Sequence, residues 1–418
     1  MNYNMEKLSS HIAEMANIRV LLLGNGAVGS LAAELMAKAG IGTIVFADMG
    51  KLTRDNAAKH SSMIRREDAG KYKSVACAER AEELMVAKEG HCYALVTNLQ
   101  SLGPRFYEDF DYVIMALDNY AAKEYVNQTW RQVEEGKRPK LIIGGTIEEN
   151  ANVYFLSGNK LCFRCVCDES WLNGDVAKKR TSCTDGAQYR IGSDDVFEEH
   201  APTSHLASMK CAEQMLDYII ASEKQMDNID NTMTYHYPYP RHYDVLKLQA
   251  KKDCPDCRLS GPEKPVRLNG NMYQTTLGQF KELVMKDLGD THFSVLVHIY
   301  EWAGVVYSQF VSADYCRKCG KPTKVEKHEY SIQENEVLCE KCSGRIRHTD
   351  EREKIENEFI TAFVFEDHRF DSRRMFELGY PIGAYLTVIH DGDAKYYMFE
   401  GDGYEEVSKL AQRKEFWV

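Results

Sequence analysis

Between Arg19 and about residue 150 the chain alternates short apolar, β-branched runs with amphipathic stretches, and this alternation limits the fold more than any other feature. Strands are expected at Arg19–Leu23, Thr43–Ala47, Tyr93–Thr97, Val113–Leu117 and Lys140–Ile143, with helices at Ser30–Lys38, Lys73–Leu84 and Tyr120–Glu134 between them. Continuous apolar strands separated by helices predict an α/β unit whose mostly parallel sheet is covered on both faces. One long helix near Ser204–Ser222 continues this unit, and the Pro/Gly/charge cluster Leu259–Pro265 reads as a linker. Residues 266–418 have a different grammar. A helix at Leu277–Leu288 is followed by strands near Phe293–Tyr307, Ile360–Phe365, Ala384–Ile389 and Lys395–Glu400, which predicts a separate α+β domain. The expected division is therefore 1–260 and 266–418.

The first strand runs into Gly24-Asn-Gly26-Ala-Val-Gly29, which opens a helix. Glycines at that spacing permit a tight turn and let a phosphate approach backbone N–H groups. Asp48 ends the next strand, where a carboxylate takes ribose hydroxyls. An NAD-dependent oxidoreductase shares these features. It does not share the set Asn56, Lys59, His60 and Lys73, which places an amide and cations downstream of Asp48. Cleavage of a triphosphate needs such groups to balance developing charge, and hydride transfer does not. Asp118 then falls at the end of a strand, the edge where open α/β sheets bind ligands. It suits either a Mg²⁺ held mainly by phosphates or the N-cap of the helix near Tyr120.

In this order of motifs, residues 17–222 resemble the ThiF/MoeB/ubiquitin-activating-enzyme superfamily, whose members adenylate the C-terminal carboxylate of a small β-grasp protein with ATP·Mg²⁺. The resemblance implies a Rossmann-like adenylation domain. It assigns Gly24, Gly26 and Gly29 to the phosphate loop, Asp48 to the ribose, Asn56 to the motif asparagine, Lys73 to the phosphates and Asp118 to Mg²⁺. The family's Asn-Leu-x-Arg-Gln motif carries Lys59 for arginine and His60 for glutamine here. Lysine keeps the charge and loses the bidentate fork, for which Arg65 or Arg66 is offered as a replacement. Met1–Ala16 holds no arginine, unlike the N-terminal segment that in many relatives reaches across a dimer interface. A compact homodimer is the expected assembly.

Thirteen cysteines are many for a chain whose first residues carry no signal-peptide core and which is expected in the cytoplasm. Cys162-x-x-Cys165 and Cys254-x-x-Cys257 form two hooks suited to a tetrahedral Zn²⁺, with Cys167 beside the first as a substitute ligand. Related adenylating enzymes carry a similar split tetrad. Cys316-x-x-Cys319 and Cys339-x-x-Cys342 have zinc-ribbon spacing, within an insert at about 312–346. Cys77 and Cys211 lie in helical patterns and read as core. Cys183 follows Lys178, Lys179 and Arg180, cations that favour a thiolate, and precedes Thr184. By resemblance it lies in the crossover loop (about 167–203) and is the candidate thioester acceptor, with Cys167 second.

The hairpin around Asp391-Gly392-Asp393 and the opening helix resemble the ubiquitin-fold domain of activating enzymes, a β-grasp module that recruits a conjugating enzyme. A net charge of −11 (52 Lys+Arg against 63 Asp+Glu) argues against nucleic acid as a partner, and no apolar run is long enough for a membrane helix. The favoured function is an activating enzyme for a ubiquitin-like protein, using ATP, Mg²⁺ and Zn²⁺, with a conjugating-enzyme-like protein as acceptor. The alternatives are a sulfur-carrier adenylyltransferase of the ThiF/MoeB kind, an NAD-dependent oxidoreductase, and a nucleotide-binding but inert partner subunit.

Overall fold

The computed structural model describes residues 13–54, 64–147, 149–157, 161–167, 201–237, 242–302, 305–315, 319, 321–332, 341 and 358–411. Two compact units divide the chain. The first comprises Met1–Leu99, Tyr107–Ser260 and Tyr404–Val418, and the second Gln100–Phe106 and Gly261–Gly403. The last helix, Tyr404–Ala411, thus clusters with the first unit rather than with 266–403.

Eight strands form the sheet of the first unit: β1 (Arg19–Leu23), β2 (Thr43–Ala47), β3 (His91–Leu95), β4 (Tyr112–Met115), β5 (Lys140–Ile147), β6 (Asn150–Leu156), β7 (Thr232–Tyr237) and β8 (His242–Lys247). Their order in space is β3-β2-β1-β4-β5-β6-β7-β8. The first five run parallel and the last three extend the sheet antiparallel. Val20 to Leu23 are all fully buried, so β1 shows no alternation: helices cover both faces of its end of the sheet. Burying each such aliphatic side chain contributes about 1.5–3 kcal/mol.

Three helices follow parallel strands: α1 (Ala27–Ala39), α2 (Lys73–Leu84) and α3 (Tyr120–Gln132). A fourth, α4 (Ala201–Glu223), packs on α1 and on β5 and β6. Its close approach depends on Gly144, where a Cβ would lie 2.7 Å from Cys211 Sγ and collide with Met215. Tyr218 of α4 stacks on Phe155, and its hydroxyl meets Thr232 and Thr234 at 3.1 and 2.7 Å. Cys77 and Cys211 are fully buried, as their helical setting predicts.

The second unit begins with β9 (Val266–Leu268), helix α5 (Leu277–Leu288) and β10 (Phe293–Leu296). The hairpin β11 (Tyr300–Trp302) and β12 (Val305–Tyr307) follows, then β13 (Phe310–Tyr315), β14 (Pro322–His328) and β15 (Glu358–Ile360), which form a three-stranded sheet of their own. The last strands are β16 (Ala362–Val364), β17 (Leu386–His390) and β18 (Asp393–Phe399). The main sheet runs β16-β10-β17-β18-β9, with β9 parallel to β18 and the other pairings antiparallel. α5 starts with a capping box between Thr276 and Gln279, and its Phe280 packs edge-on against Tyr397 and Phe399. The β17–β18 turn places Asp391 and Gly392 at φ 52° and 86°, the conformation that two-residue hairpins need. Of the zinc-ribbon cysteines, Cys319 is described and half-buried; Cys316, Cys339 and Cys342 lie outside the described residues. Among the described residues no helix is long and apolar enough to cross a membrane.

Candidate nucleotide site and metal centre

β1 and β4 are neighbours, yet the chain leaves them in opposite directions along the sheet, toward β2 from one and toward β5 from the other. Such a switch point opens a crevice at the carboxyl ends of the strands. The glycine loop follows β1 and fills the crevice floor. Gly24 sits at φ +87°, and a Cβ there would lie 2.5 Å from the Ala116 carbonyl oxygen after β4. A Cβ on Gly29 would overlap the Gly24 carbonyl oxygen. Gly26 differs from both: it is the N-cap of α1 with ordinary φ, and nothing stands within 4 Å of where its Cβ would be. The unfilled N-terminus of α1, with its exposed N–H groups and positive dipole end, faces that opening.

Asp48 accepts the Asn25 N–H at Oδ2 and the Gly50 N–H at Oδ1, each at 2.7 Å. Burial raises its pKa; Lys73 and the two N–H groups oppose this, and the charge of Asp118 adds to it. Lys73 opens α2 at 6 % exposure, and a Cβ on Gly50 would lie 3.0 Å from Asp48 Oδ1 and 3.5 Å from the Lys73 methylenes. Ser74 Oγ donates to the Asp48 carbonyl at 3.0 Å, fixing α2 to the end of β2. Asn25 is fully buried in the same corner, and neither atom of its amide has a partner among the described residues. An unpaired buried amide is costly unless a ligand satisfies it. A held carboxylate, a buried cation, an orphaned amide and an open helix N-terminus fit the sugar and phosphates of a nucleotide.

Asp118 lies just beyond β4 and is solvent-exposed. The N-cap of α3 is its neighbour Asn119, whose Oδ1 accepts the Ala122 N–H at 3.2 Å. Asp118 is therefore not committed to the cap and is available for a cation at the crevice mouth. The fold thus gathers Gly24, Gly26, Gly29, Asp48, Lys73 and Asp118 along one sheet edge. Asn56, Lys59 and His60 lie outside the described residues, and Arg65 and Arg66 are solvent-exposed.

The four cysteines of the split hooks meet. Their sulfurs all lie within 4.8 Å of one another. Individual Sγ–Sγ distances are 3.9 Å (Cys162–Cys165), 3.5 Å (Cys162–Cys254), 3.4 Å (Cys162–Cys257) and 3.3 Å (Cys165–Cys257). A tetrahedral Zn²⁺ with Zn–S of about 2.3 Å would set them about 3.8 Å apart. Burial, with the neighbouring sulfurs, pushes the Cys162 thiol well above its ordinary pKa. Four clustered thiolates need a cation, and the donor set and spacing fit zinc. Cys167 is buried just past the first hook. Cys183 lies outside the described residues.

Two residues that sequence reading passes over hold this arrangement together. Asn127, fully buried on α3, accepts the Phe163 N–H of one hook at 2.8 Å and donates to Asp256 of the other at 2.7 Å. Arg131, one turn on, donates to the Cys257 carbonyl at 2.8 Å. Lys123, one turn before Asn127, is 8 % exposed and within electrostatic reach of Asp118. The spacing of Lys123, Asn127 and Arg131 puts them on one face of α3, but Glu124, Gln128, Thr129 and Gln132 on the same helix are polar too, so spacing does not single them out.

A ThiF family model matches residues 7–258. The chain belongs to the ThiF family. Among curated relatives, it is 27 % identical over 161 residues to ubiquitin-like modifier-activating enzyme 5 of Dictyostelium discoideum, covering 36 % of this chain and 42 % of that one. It is 26 % identical over 159 residues to the NEDD8-activating enzyme E1 catalytic subunit of Arabidopsis thaliana, covering 35 % and 34 %. The match spans less than half the length of both. Among solved structures, E. coli MccB with MccA-N7isoASN matches at a TM-score of 0.45 and 18 % identity, over 60 % of this chain and 69 % of that one. ATP use is expected for the ThiF family.

Proposed function

We propose that the chain is an activating enzyme that uses ATP to adenylate the C-terminal carboxylate of a ubiquitin-like β-grasp protein. The observation that carries the reading is the row Asp48, glycine loop, Asp118 along one crevice, with Lys73 beside it. The substrate carboxylate is ionised at neutral pH, so no base is needed. Its oxygen forms a bond to the α-phosphorus as the bond to pyrophosphate breaks. Asp48 holds the ribose, the N–H groups at Gly26 and the Lys73 ammonium take phosphate charge, and Lys59 does the same from its motif position. Asp118 would hold Mg²⁺, which supplies further neutralisation of phosphate charge when bound.

In the second half of the proposal the Cys183 thiolate attacks the acyl carbon and displaces AMP, giving a thioester. The unit at 266–403, a helix on a mixed sheet, is the proposed β-grasp-like module that presents it to a conjugating enzyme, and Cys316, Cys319, Cys339 and Cys342 are its proposed second Zn²⁺ site. A homodimer in the cytoplasm is the proposed setting. ATP–pyrophosphate exchange stimulated by a β-grasp protein tests adenylation, and unchanged exchange in Asp118→Asn overturns the role of Asp118. A thiol-labile mass adduct lost in Cys183→Ala tests the thioester. Exchange without that adduct returns the assignment to a sulfur-carrier or peptide adenylyltransferase.

A further inference from the structure

Lys123 sits in the first turn of α3, where the helix dipole already presents positive charge, and it is more than nine-tenths buried. A cation in that position is disfavoured twice, by the dipole and by lost hydration. Its ammonium rests 5.2 Å from the Tyr120 ring centroid, and among the described residues no carboxylate lies within ion-pair distance. Burial lowers its pKa; Cys211, Asp118 and Cys167 are the groups that pull it back up. Among the described residues the fold thus keeps a costly cation whose nearest carboxylate, Asp118, acts on it from beyond ion-pair distance.

Its place identifies the missing partner. Along the sheet the order is Asp48 after β2, the glycine loop after β1, Asp118 after β4, then β5 and β6. Lys73 lies at the β2 end beside Asp48, and Lys123 lies beyond Asp118, against β5 and β6. There the ammonium lies over the bare backbone of Gly145: a Cβ on that residue would meet Asn152 Oδ1 at 3.3 Å and Lys123 Nζ at 3.6 Å. Adenylation must bring two anions together, a triphosphate and a carboxylate. Lys73 and the loop serve the first.

Building on the adenylation reading, we propose that Lys123, beside Gly145, receives the substrate's C-terminal carboxylate and holds its oxygen toward the α-phosphate. The test compares ATP with glycylglycyl-sulfamoyladenosine, a stable mimic of the acyl-adenylate, by calorimetry on the full chain. Lys123→Met is expected to weaken the mimic by about tenfold or more while ATP stays within about twofold, since a charge-assisted contact is lost to one ligand alone. Lys123→Arg recovers most of the loss. Because no carboxylate among the described residues reaches ion-pair distance of this buried cation, unliganded Lys123→Met is expected to melt at or above the wild-type temperature. Equal loss for both ligands, loss for neither, or a Lys123→Met chain that melts lower or does not fold overturns the assignment. A wild-type chain that binds neither ligand overturns the adenylation reading itself.

Discussion

Gly26 and Gly29 belong to one motif but are expected to fail in different ways when given a methyl group. At Gly26 the backbone (φ −78°) suits alanine, and the new Cβ meets nothing within 4 Å. Alanine is a poorer N-cap than glycine by about 0.5–1 kcal/mol, while lost freedom in the unfolded chain returns about 0.4–1 kcal/mol. The two nearly cancel, so Gly26→Ala should unfold in urea within about 0.5 kcal/mol of wild type. Its methyl, however, stands where phosphate must approach the first N–H groups of α1, and an affinity loss for ATP of about tenfold is expected, about 1.4 kcal/mol. At Gly29 the methyl overlaps the Gly24 carbonyl oxygen, which is held by the Gly24 N–H bond to Ala47 at 3.0 Å. Relief requires the loop or α1 to move, at about 2 kcal/mol or more of stability. Urea titration and calorimetry with ATP separate the two. A Gly26→Ala chain that binds ATP within about twofold of wild type, or that is as destabilised as Gly29→Ala, refutes this account of the loop.

Three further outcomes are expected from the packing. Asn127→Ala strips a buried N–H at Phe163 and a buried carboxylate at Asp256 of one partner each, and should cost about 2–5 kcal/mol in urea unfolding and speed metal release to a chromogenic chelator; unchanged release would show that the hooks are held without α3. Lys73→Met should weaken ATP by about tenfold and also lower stability, since the cation balances ligand charge and offsets the burial of Asp48; equal affinity would remove Lys73 from the phosphate site. In the second unit Asp402 is fully buried, accepts the N–H groups of Met272 and Gly383, and is pushed by burial from 3.8 to about 7. The folded state then binds this proton more tightly than the unfolded chain, so stability contributed by the protonated form is full below 3.8 and declines as pH rises toward about 7. Asp402→Ala should flatten that part of a stability–pH profile; an unaltered slope would contradict it.

The apolar runs place the parallel strands, because a strand covered on both faces must be apolar throughout. Helices Lys73–Leu84 and Leu277–Leu288 match their expected limits. The misplacements have physical causes. β3 is expected at Tyr93–Thr97 but occupies His91–Leu95, since its register is set by pairing with Thr43–Ala47 and not by its own apolar centre. β5 runs four residues past Ile143 because Gly144 and Gly145 continue the ladder with Val153 and Asn152. Gly144 signals close packing by α4, not a turn. In the site, the glycine loop, Asp48 and the two cysteine hooks are marked by spacing, and Lys73 and Asp118 by the order of motifs that carries the family resemblance. Lys123 and Asn127 are not. Their roles depend on β5, β6 and Asp256, and the last is 129 positions from Asn127 in the chain.

Helix α3 joins two sites that share no ligand. Its first turn carries Lys123 and follows Asp118, while Asn127 and Arg131 grip both hooks of the four-cysteine cluster. Whatever free energy a metal bound by that cluster would contribute to seating this helix would also help align the crevice, and linkage makes such a coupling symmetric. Two ligands that never meet would then tighten each other. A chelator in the assay buffer would behave toward ATP as an inhibitor acting from a distance, and saturating ATP would raise the cluster's affinity for its metal against the chelator by the same factor.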